Sequence, residues 1–176
     1  MTLFSAAAAH FARRARNGSL KDLGSLLDML VDSFYSARTV TLTSATTITA
    51  AEHEGRTLLL GEVGGDAALA VTLPAATGSG AVYKFIVSVV NTSGYTINKA
   101  GSDVFKGSII SLDDDSNAAT AYAAAAAGDD VLTLNGTTTG GQIGDCVIFE
   151  DILSGVWSVR GQVVVPAGSN VADPFS

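Results

Sequence analysis

Acidic side chains form three short clusters whose spacing could support chemistry. The first cluster is Glu52-His53-Glu54, in which an imidazole lies between two carboxylates. A histidine in such a setting could transfer protons as a general acid or base. A solvated turn between two strands is the more common setting for such a sequence, and the following Gly55 favours it. We therefore predict a turn here rather than a catalytic site.

The second cluster, Asp113-Asp114-Asp115-Ser116-Asn117, has the Asp-x-Asp-x-Asn spacing that opens a calcium-binding loop. The rest of that motif is missing, because Ala118 stands where the loop needs glycine and Ala124 where it needs glutamate. The pattern favours a solvated acidic turn. A calcium site of non-standard geometry is the alternative.

The third cluster joins Asp129 and Asp130 with Asp145, Glu150 and Asp151. Two carboxyl groups held about 5–10 Å apart could hydrolyse a glycosidic bond. Acids beside strands also protect strand ends and keep a surface soluble, and we favour that interpretation. Glycan hydrolysis stays as the enzymatic alternative.

The rest of the sequence offers little chemistry. It contains two histidines and one cysteine, whereas a zinc site needs three or four such ligands at close spacing. It has no phosphate-binding loop, no nucleophile elbow and no dinucleotide fingerprint. The lone Cys146 lies in an apolar run, where a thiol usually acts as a small hydrophobic side chain. We predict no enzyme activity, no metal and no cofactor.

Composition points to a protein with a large neutral surface. Apolar residues make up 47% of the chain and charged residues 15%, which is below the usual fraction of about 25%. The net charge is −7, yet residues 1–21 carry four basic groups and no acid. The acidic remainder argues against broad nucleic-acid binding. No segment has the roughly 18–20 apolar residues of a membrane span, and the apolar start lacks the preceding basic residues of a secretory signal.

Helical periodicity dominates residues 1–38, which we predict to be an N-terminal arm. Apolar residues recur at three- and four-residue steps in a first short helix, and a second helix is predicted over about 19–36. Ser19 is a suitable N-cap for the second helix. The apolar stripe of this helix consists of Leu20, Leu23, Leu27, Leu30, Val31 and Phe34. The stripe must bury against something, either the protein's own β domain or neighbouring molecules of an assembly.

From Thr39 to residue 165 the period changes to two, which is typical of half-buried strands. Gly-rich turns separate the strands, and the pattern predicts a mainly β domain built as an antiparallel sandwich or barrel. Residues 166–176 are predicted to be a C-terminal tail, which only Val171 and Phe175 could anchor. The predicted strands are 39–43, 56–61, 71–73, 82–89, 94–99, 103–112, 119–126, 130–135, 145–150 and 156–165.

Several turn-and-strand segments of this domain resemble one known group of proteins. They are 50–57, 73–80, 134–141 and 155–161, with sequences AAEHEGRT, LPAATGSG, LNGTTTGG and GVWSVRG. Together they resemble the head-decoration, or cement, proteins of tailed bacteriophages. The resemblance covers roughly residues 40–165 and does not include the arm. It implies a structural virion protein that binds the outside of the capsid, with the major capsid protein as its partner.

Local symmetry of a capsid favours a homo-oligomer, with a trimer preferred and a dimer as the alternative. No membrane partner is expected, because no segment has the length and apolar character of a membrane span. A tail or fibre component that binds a host receptor or glycan is the main competing function, and its candidate contacts are Trp157 and Tyr95. Trp157 is consistent with either a core or an interface position. The predicted interface residues are Phe11, Leu23, Leu27, Leu30, Phe34 and Trp157.

Overall fold

The computed structural model describes residues 38–124 and 129–176. Thr39–Ser176 forms one compact unit, distinct from residues 1–38. The predicted helical arm therefore lies outside the described residues, except for Arg38.

Short strands dominate the described part of the chain, which confirms the prediction of a mainly β domain. One helical turn, α1 (Ala50–His53), interrupts them. The strands are β1 (Thr39–Leu42), β2 (Thr46–Thr47), β3 (Thr57–Leu60), β4 (Leu69–Thr72), β5 (Val82–Val87), β6 (Tyr95–Asn98), β7 (Val104–Asp113), β8 (Ala119–Ala124), β9 (Val131–Leu134), β10 (Cys146–Leu153) and β11 (Val156–Val165).

The strands form two sheets. The larger sheet has the order β1-β3-β5-β10-β11-β7-β8, and the smaller sheet has the order β2-β4-β6-β9. From β1 to β6, successive strands lie in alternate sheets. Each return to a sheet repeats the previous direction, so β1, β3 and β5 are parallel neighbours, as are β2, β4 and β6.

The prediction of an antiparallel architecture is therefore wrong, because the sheets are mixed. The β7–β11 pair is parallel as well, whereas β10 is antiparallel to both β5 and β11. The β6–β9 and β7–β8 pairs are also antiparallel. Alternation of polar and apolar residues reports which face of a strand is buried. It carries no information about the direction of the neighbouring strand.

Inward-facing side chains of both sheets form one hydrophobic core. In the larger sheet, Leu58 pairs in register with Phe85, which in turn pairs with Val147. In the smaller sheet, Val71, Ile97 and Leu132 make the equivalent row. Burying each large apolar side chain contributes about 1.5–3 kcal/mol, so these rows hold the two sheets together.

The C-terminal tail adds to the smaller sheet. The backbone amide groups of Asp130 and Val131 both donate hydrogen bonds to the Ser176 carbonyl, and Thr133 donates to the Pro174 carbonyl. Phe175 is buried in the core, and its backbone bridges to Leu132 of β9. The last residues thus cover an edge of the sheet that would otherwise present open backbone groups.

Candidate functional site

Buried polar side chains tie together the loops at one end of the two sheets. We call this region the loop end, and it comprises residues 61–67, 88–94 and 135–144. The Asn91 side chain donates a hydrogen bond of 2.7 Å to the Ala67 carbonyl, which joins the first two loops. Its Oδ1 accepts from the amide groups of Ser93 and Gly94 and so shapes its own loop.

Glu62 and Tyr95 organise the first of these loops. The Glu62 carboxylate is buried and accepts hydrogen bonds from the amide groups of Asp66 and Ala67. The Tyr95 hydroxyl donates to the Val89 carbonyl at 2.7 Å and accepts from the Glu62 amide at 3.3 Å. The Tyr95 hydroxyl therefore links Glu62 in the first loop to Val89 in the second.

A side-chain network also fixes the third loop. The Asn135 Oδ1 atom accepts from the amide groups of Thr137 and Thr139, which closes the turn on itself. The Gln142 side chain donates to the Gly136 carbonyl at 2.7 Å. At Gly136, φ is +74° and an added Cβ would lie 2.9 Å from the Asn91 carbonyl oxygen. The glycine therefore permits close contact between the second and third loops.

Asp145 anchors the third loop to β11. Its Oδ2 atom accepts from the amide groups of Gly141 and Gln142, and its Oδ1 atom accepts from Val164 at 2.9 Å. Burial raises the pKa of this carboxyl above its ordinary value, against the lowering effect of these hydrogen bonds. The carboxylate thus acts as a structural acceptor, with every hydrogen bond coming from backbone.

Asp151 also anchors a loop, at the opposite end of the larger sheet. Its carboxylate accepts hydrogen bonds from the amide groups of Thr77, Gly78 and Ser79, of which the bond from Gly78 is the shortest at 2.7 Å. It also accepts from the hydroxyls of Thr77 and Ser79. Burial alone would raise the pKa of Asp151. The hydrogen bonds from Thr77, Ser79 and Gly78 outweigh it and hold the pKa well below its usual range. Nearby, buried Asp103 accepts from the Ala76 amide at 2.7 Å.

Four acids of the third cluster each bind a partner outside the cluster. Asp145 and Asp151 are buried in separate loop contacts. Asp130 pairs with Lys99 at 3.0 Å, and Glu150 pairs with Arg160 at 2.9 Å. Asp129 follows the undescribed residues 125–128 and also has an interaction partner.

The second cluster is an exposed turn between β7 and β8. Asp113 accepts hydrogen bonds from the Ser116 hydroxyl and the Asp115 amide, and these two contacts lower its pKa. Asn117 adopts φ of +53°, a left-handed conformation that asparagine tolerates. The Asp113 carboxylate therefore binds a backbone amide and a hydroxyl of its own turn, and the Asp115 carboxylate accepts from the Gly168 amide.

The first cluster ends a helical turn. Glu52 and Glu54 are exposed, as predicted, but His53 is buried at the end of α1. The His53 Nδ1 atom lies 3.1 Å from the Thr49 amide nitrogen and accepts its hydrogen bond. This contact closes the turn and leaves the histidine in a structural role.

The predicted contact residues have different outcomes. Phe11, Leu23, Leu27, Leu30 and Phe34 lie outside the described residues. The prediction of Trp157 as an interface residue is wrong, because its side chain is 0% exposed and packs on Tyr83 with ring centroids 5.7 Å apart. Tyr95, the other candidate for receptor contact, is also fully buried.

In the part of the chain that the structure describes, large apolar side chains are exposed in three places instead. Val63 and Ile143 project from the loop end, 74% and 71% exposed. Ile152 and Leu153 lie at the β10–β11 turn, and Val104 pairs in register with Val156 beside them. Ile110 and Leu112 stand on the outer face of β7, in register with Ala121 and Ala119 of β8. Sequence patterns could not distinguish these residues from core positions.

The loop-fixing residues were also missed, because a single polar side chain has no period and some of the partners are distant in sequence. Asp151, for example, contacts residues more than 70 positions away. The one available signal was a polar residue that adjoins a Gly-rich turn. Within residues 38–124 and 129–176, no group of three or more His, Cys, Asp or Glu side chains is placed to hold a metal ion. In the same ranges, no helix has the length and apolar character needed to cross a membrane.

Comparison with known proteins gives no match to a protein-family model, to a curated protein or to a solved structure.

Proposed function

We propose that this protein is a structural virion component that binds the outside of a tailed-phage capsid and reinforces the shell. Its partner would be the major capsid protein, and it would act as a homo-oligomer without enzymatic activity or cofactor. The proposal begins from the resemblance of the turn-and-strand segments between residues 40 and 165 to head-decoration proteins.

One structural observation carries the proposal further. Four acidic residues are buried in the described part of the chain, namely Glu62, Asp103, Asp145 and Asp151. Each accepts hydrogen bonds from backbone amide groups of a loop. Carboxylates used in this way fix loop geometry and are poorly placed to exchange protons with a substrate. A rigid domain with fixed loops suits a protein that must hold capsid subunits in one arrangement.

The loop end is the surface that we assign to the shell. Val63 and Ile143 are exposed there on loops whose backbones are tightly held. Exposed apolar side chains on a rigid frame lose little conformational entropy when a partner covers them. Many copies, each adding a modest contact, would stabilise a lattice by mass action.

Immunogold labelling of intact virions tests the location. Gold over the head is the expected result. Gold confined to the tail or its tip would contradict the proposal and favour the competing function, a tail or fibre component that binds a receptor or glycan. If particles carry no gold, mass spectrometry of purified virions decides, and absence of the protein from them would also contradict the proposal.

Co-sedimentation with heads that lack the protein tests the surface. We expect the double variant Val63→Asp/Ile143→Asp to lose most head binding while its circular dichroism spectrum is unchanged. Ser102→Asp is the matched control, because Ser102 is exposed at the opposite end of the larger sheet. Equal binding by the double variant and the wild type would exclude the loop end as the contact surface.

A further inference from the structure

Strand β8 is an edge strand without the usual protection. It is the last strand of the larger sheet, and within the described ranges no strand pairs with its outer side. Natural proteins usually blunt such edges with charged residues, proline or a bulge. The sequence of β8, Ala-Thr-Ala-Tyr-Ala-Ala, has no charge and no proline, and its register with β7 runs without a break.

The direction of the backbone groups in β8 follows from its pairing with β7. The Asp113 amide donates to the Ala118 carbonyl, so these two residues form a hydrogen-bonded pair. Such pairs alternate with non-bonded pairs along an antiparallel ladder. The next hydrogen-bonded pairs are therefore Ser111–Thr120 and Ile109–Tyr122.

Three alanines consequently direct their N–H and C=O groups away from β7, toward the open edge. They are Ala119, Ala121 and Ala123, and all three are exposed. A methyl side chain cannot shield the backbone beside it. The edge therefore offers a short row of accessible donors and acceptors, to which another strand can be added.

Negative charge is concentrated at one end of this edge. Three acids, Asp113, Asp114 and Asp115, lie at the β7–β8 turn beside Ala119. At the Ala123 end, Arg160 lies in register with Ser108 but is paired with Glu150, so this end carries no comparable excess of charge. An antiparallel copy of the same edge would keep the two acidic turns apart. A parallel copy would place acid beside acid.

We propose that β8 pairs antiparallel with β8 of a second copy of this chain, about a two-fold axis at Ala121. Ala121 then lies opposite Ala121 of the second copy, Ala119 lies opposite its Ala123, and Ala123 lies opposite its Ala119. These three hydrogen-bonded pairs would form about six backbone hydrogen bonds. Ile110 flanks Ala121 on the outer face in both copies, so an apolar row runs across the junction.

This interface is isologous and closes after two copies, so it favours a dimer over the trimer expected from capsid symmetry. It does not depend on the proposed function at the capsid. Its failure would leave the head-binding proposal intact.

Charge reversal at the two-fold axis provides the test. Ala121→Lys and Ala121→Glu each place like charges opposite each other across the axis. Sedimentation velocity of the full chain should show a dimer for the wild type and a monomer for each variant alone. An equal mixture of the two variants should form a heterodimer, because opposite charges then meet. A monomeric wild type, dimers of either variant alone, or a monomeric mixture would overturn the pairing.

A second pair of variants tests the backbone contact itself. Ala121→Pro removes an N–H that points to the open edge and leaves the ladder to β7 complete, since proline is tolerated on strand edges. The dissociation constant of the dimer should rise about tenfold or more. Ala121→Val retains the N–H and should remain dimeric. Dimerisation of the proline variant at wild-type strength, with an unchanged melting temperature, would contradict the proposal.

Discussion

Asp145 and Asp151 are buried and hold loops in the same way, but their pKa values are shifted in opposite directions. At Asp151, five hydrogen-bond donors overcome the cost of burial and lower the pKa. At Asp145, the effect of burial exceeds that of three backbone donors, and the pKa is raised. The balance between burial and hydrogen bonding at each carboxylate therefore decides its effect on the pH dependence of stability.

Asp151 should make the protein less stable in acid. Its pKa is lower in the folded state than the unfolded value of about 3.9, so the unfolded state binds the proton first as the pH falls. The stabilisation is fully present above about pH 5 and is lost as the pH drops through the folded pKa. Asp151→Asn should cost about 3 kcal/mol at pH 7 and flatten the decline in unfolding free energy below about pH 4. Urea denaturation from pH 7 to pH 3 measures both effects.

Asp145→Asn is the matched control for this experiment. The folded pKa of Asp145 is raised, so the folded state binds the proton first and this residue favours folding more as the pH falls. Removing it should leave the acid decline in place or make it steeper. If both variants flatten the acid decline equally, the assignment to Asp151 is wrong.

The backbone geometry at Gly107 requires glycine. It lies within β7 at φ of +133°, and an added Cβ would stand 1.9 Å from the Val159 carbonyl oxygen. Gly107→Ala should therefore lower the unfolding free energy by more than about 4 kcal/mol or prevent folding. Gly101→Ala is the control, because Gly101 also has positive φ but open space around it, and it should cost about 1–2 kcal/mol. Equal midpoints for the two variants in urea would refute this explanation.

At the scale of elements, the strands were largely predictable and their partners were not. The ten predicted strands correspond to strands in the described residues, although the prediction for 119–126 is testable only to Ala124. The two-residue strand β2 and the four-residue helix α1 were missed, because elements so short have no measurable period. Parallel pairing was missed because it depends on which sheet the chain enters next. Trp157 shows the same limit, since alternation assigns it a face but cannot show that a second sheet covers that face.

The last residues behave as a structural element rather than a loose tail. Phe175 is 7% exposed and joins the core, while the neighbouring backbone bonds to β9. Phe175→Ala should therefore reduce the unfolding free energy by about 3 kcal/mol. Ser176→Ala removes only an exposed hydroxyl and should have little effect. Identical urea midpoints for the wild type and Phe175→Ala would show that the C-terminal residues do not contribute to the core.

At the scale of the whole molecule, different surfaces are assigned to different partners. The loop end holds exposed apolar side chains on a rigid frame, and β8 offers open backbone groups at the edge of the larger sheet. A head-bound dimer could use both surfaces at once, because they involve different strands and loops. The composition predicted a large neutral surface, but the location of each candidate contact surface required the pairing of strands.

The arm provides the last test of the capsid proposal. Thr39–Ser176 forms a compact unit with its own core, so a variant that lacks residues 1–38 should fold and unfold cooperatively in urea. If the predicted interface residues of the arm (Phe11, Leu23, Leu27, Leu30 and Phe34) contact the shell or sister copies, this variant should bind heads at least tenfold more weakly than the full chain. Substituting Leu23 and Leu27 by aspartate in the full chain should reproduce the loss, whereas Asp28→Asn, off the stripe, should not. Full-strength head binding by the truncated protein would exclude the arm and leave the loop end as the capsid contact.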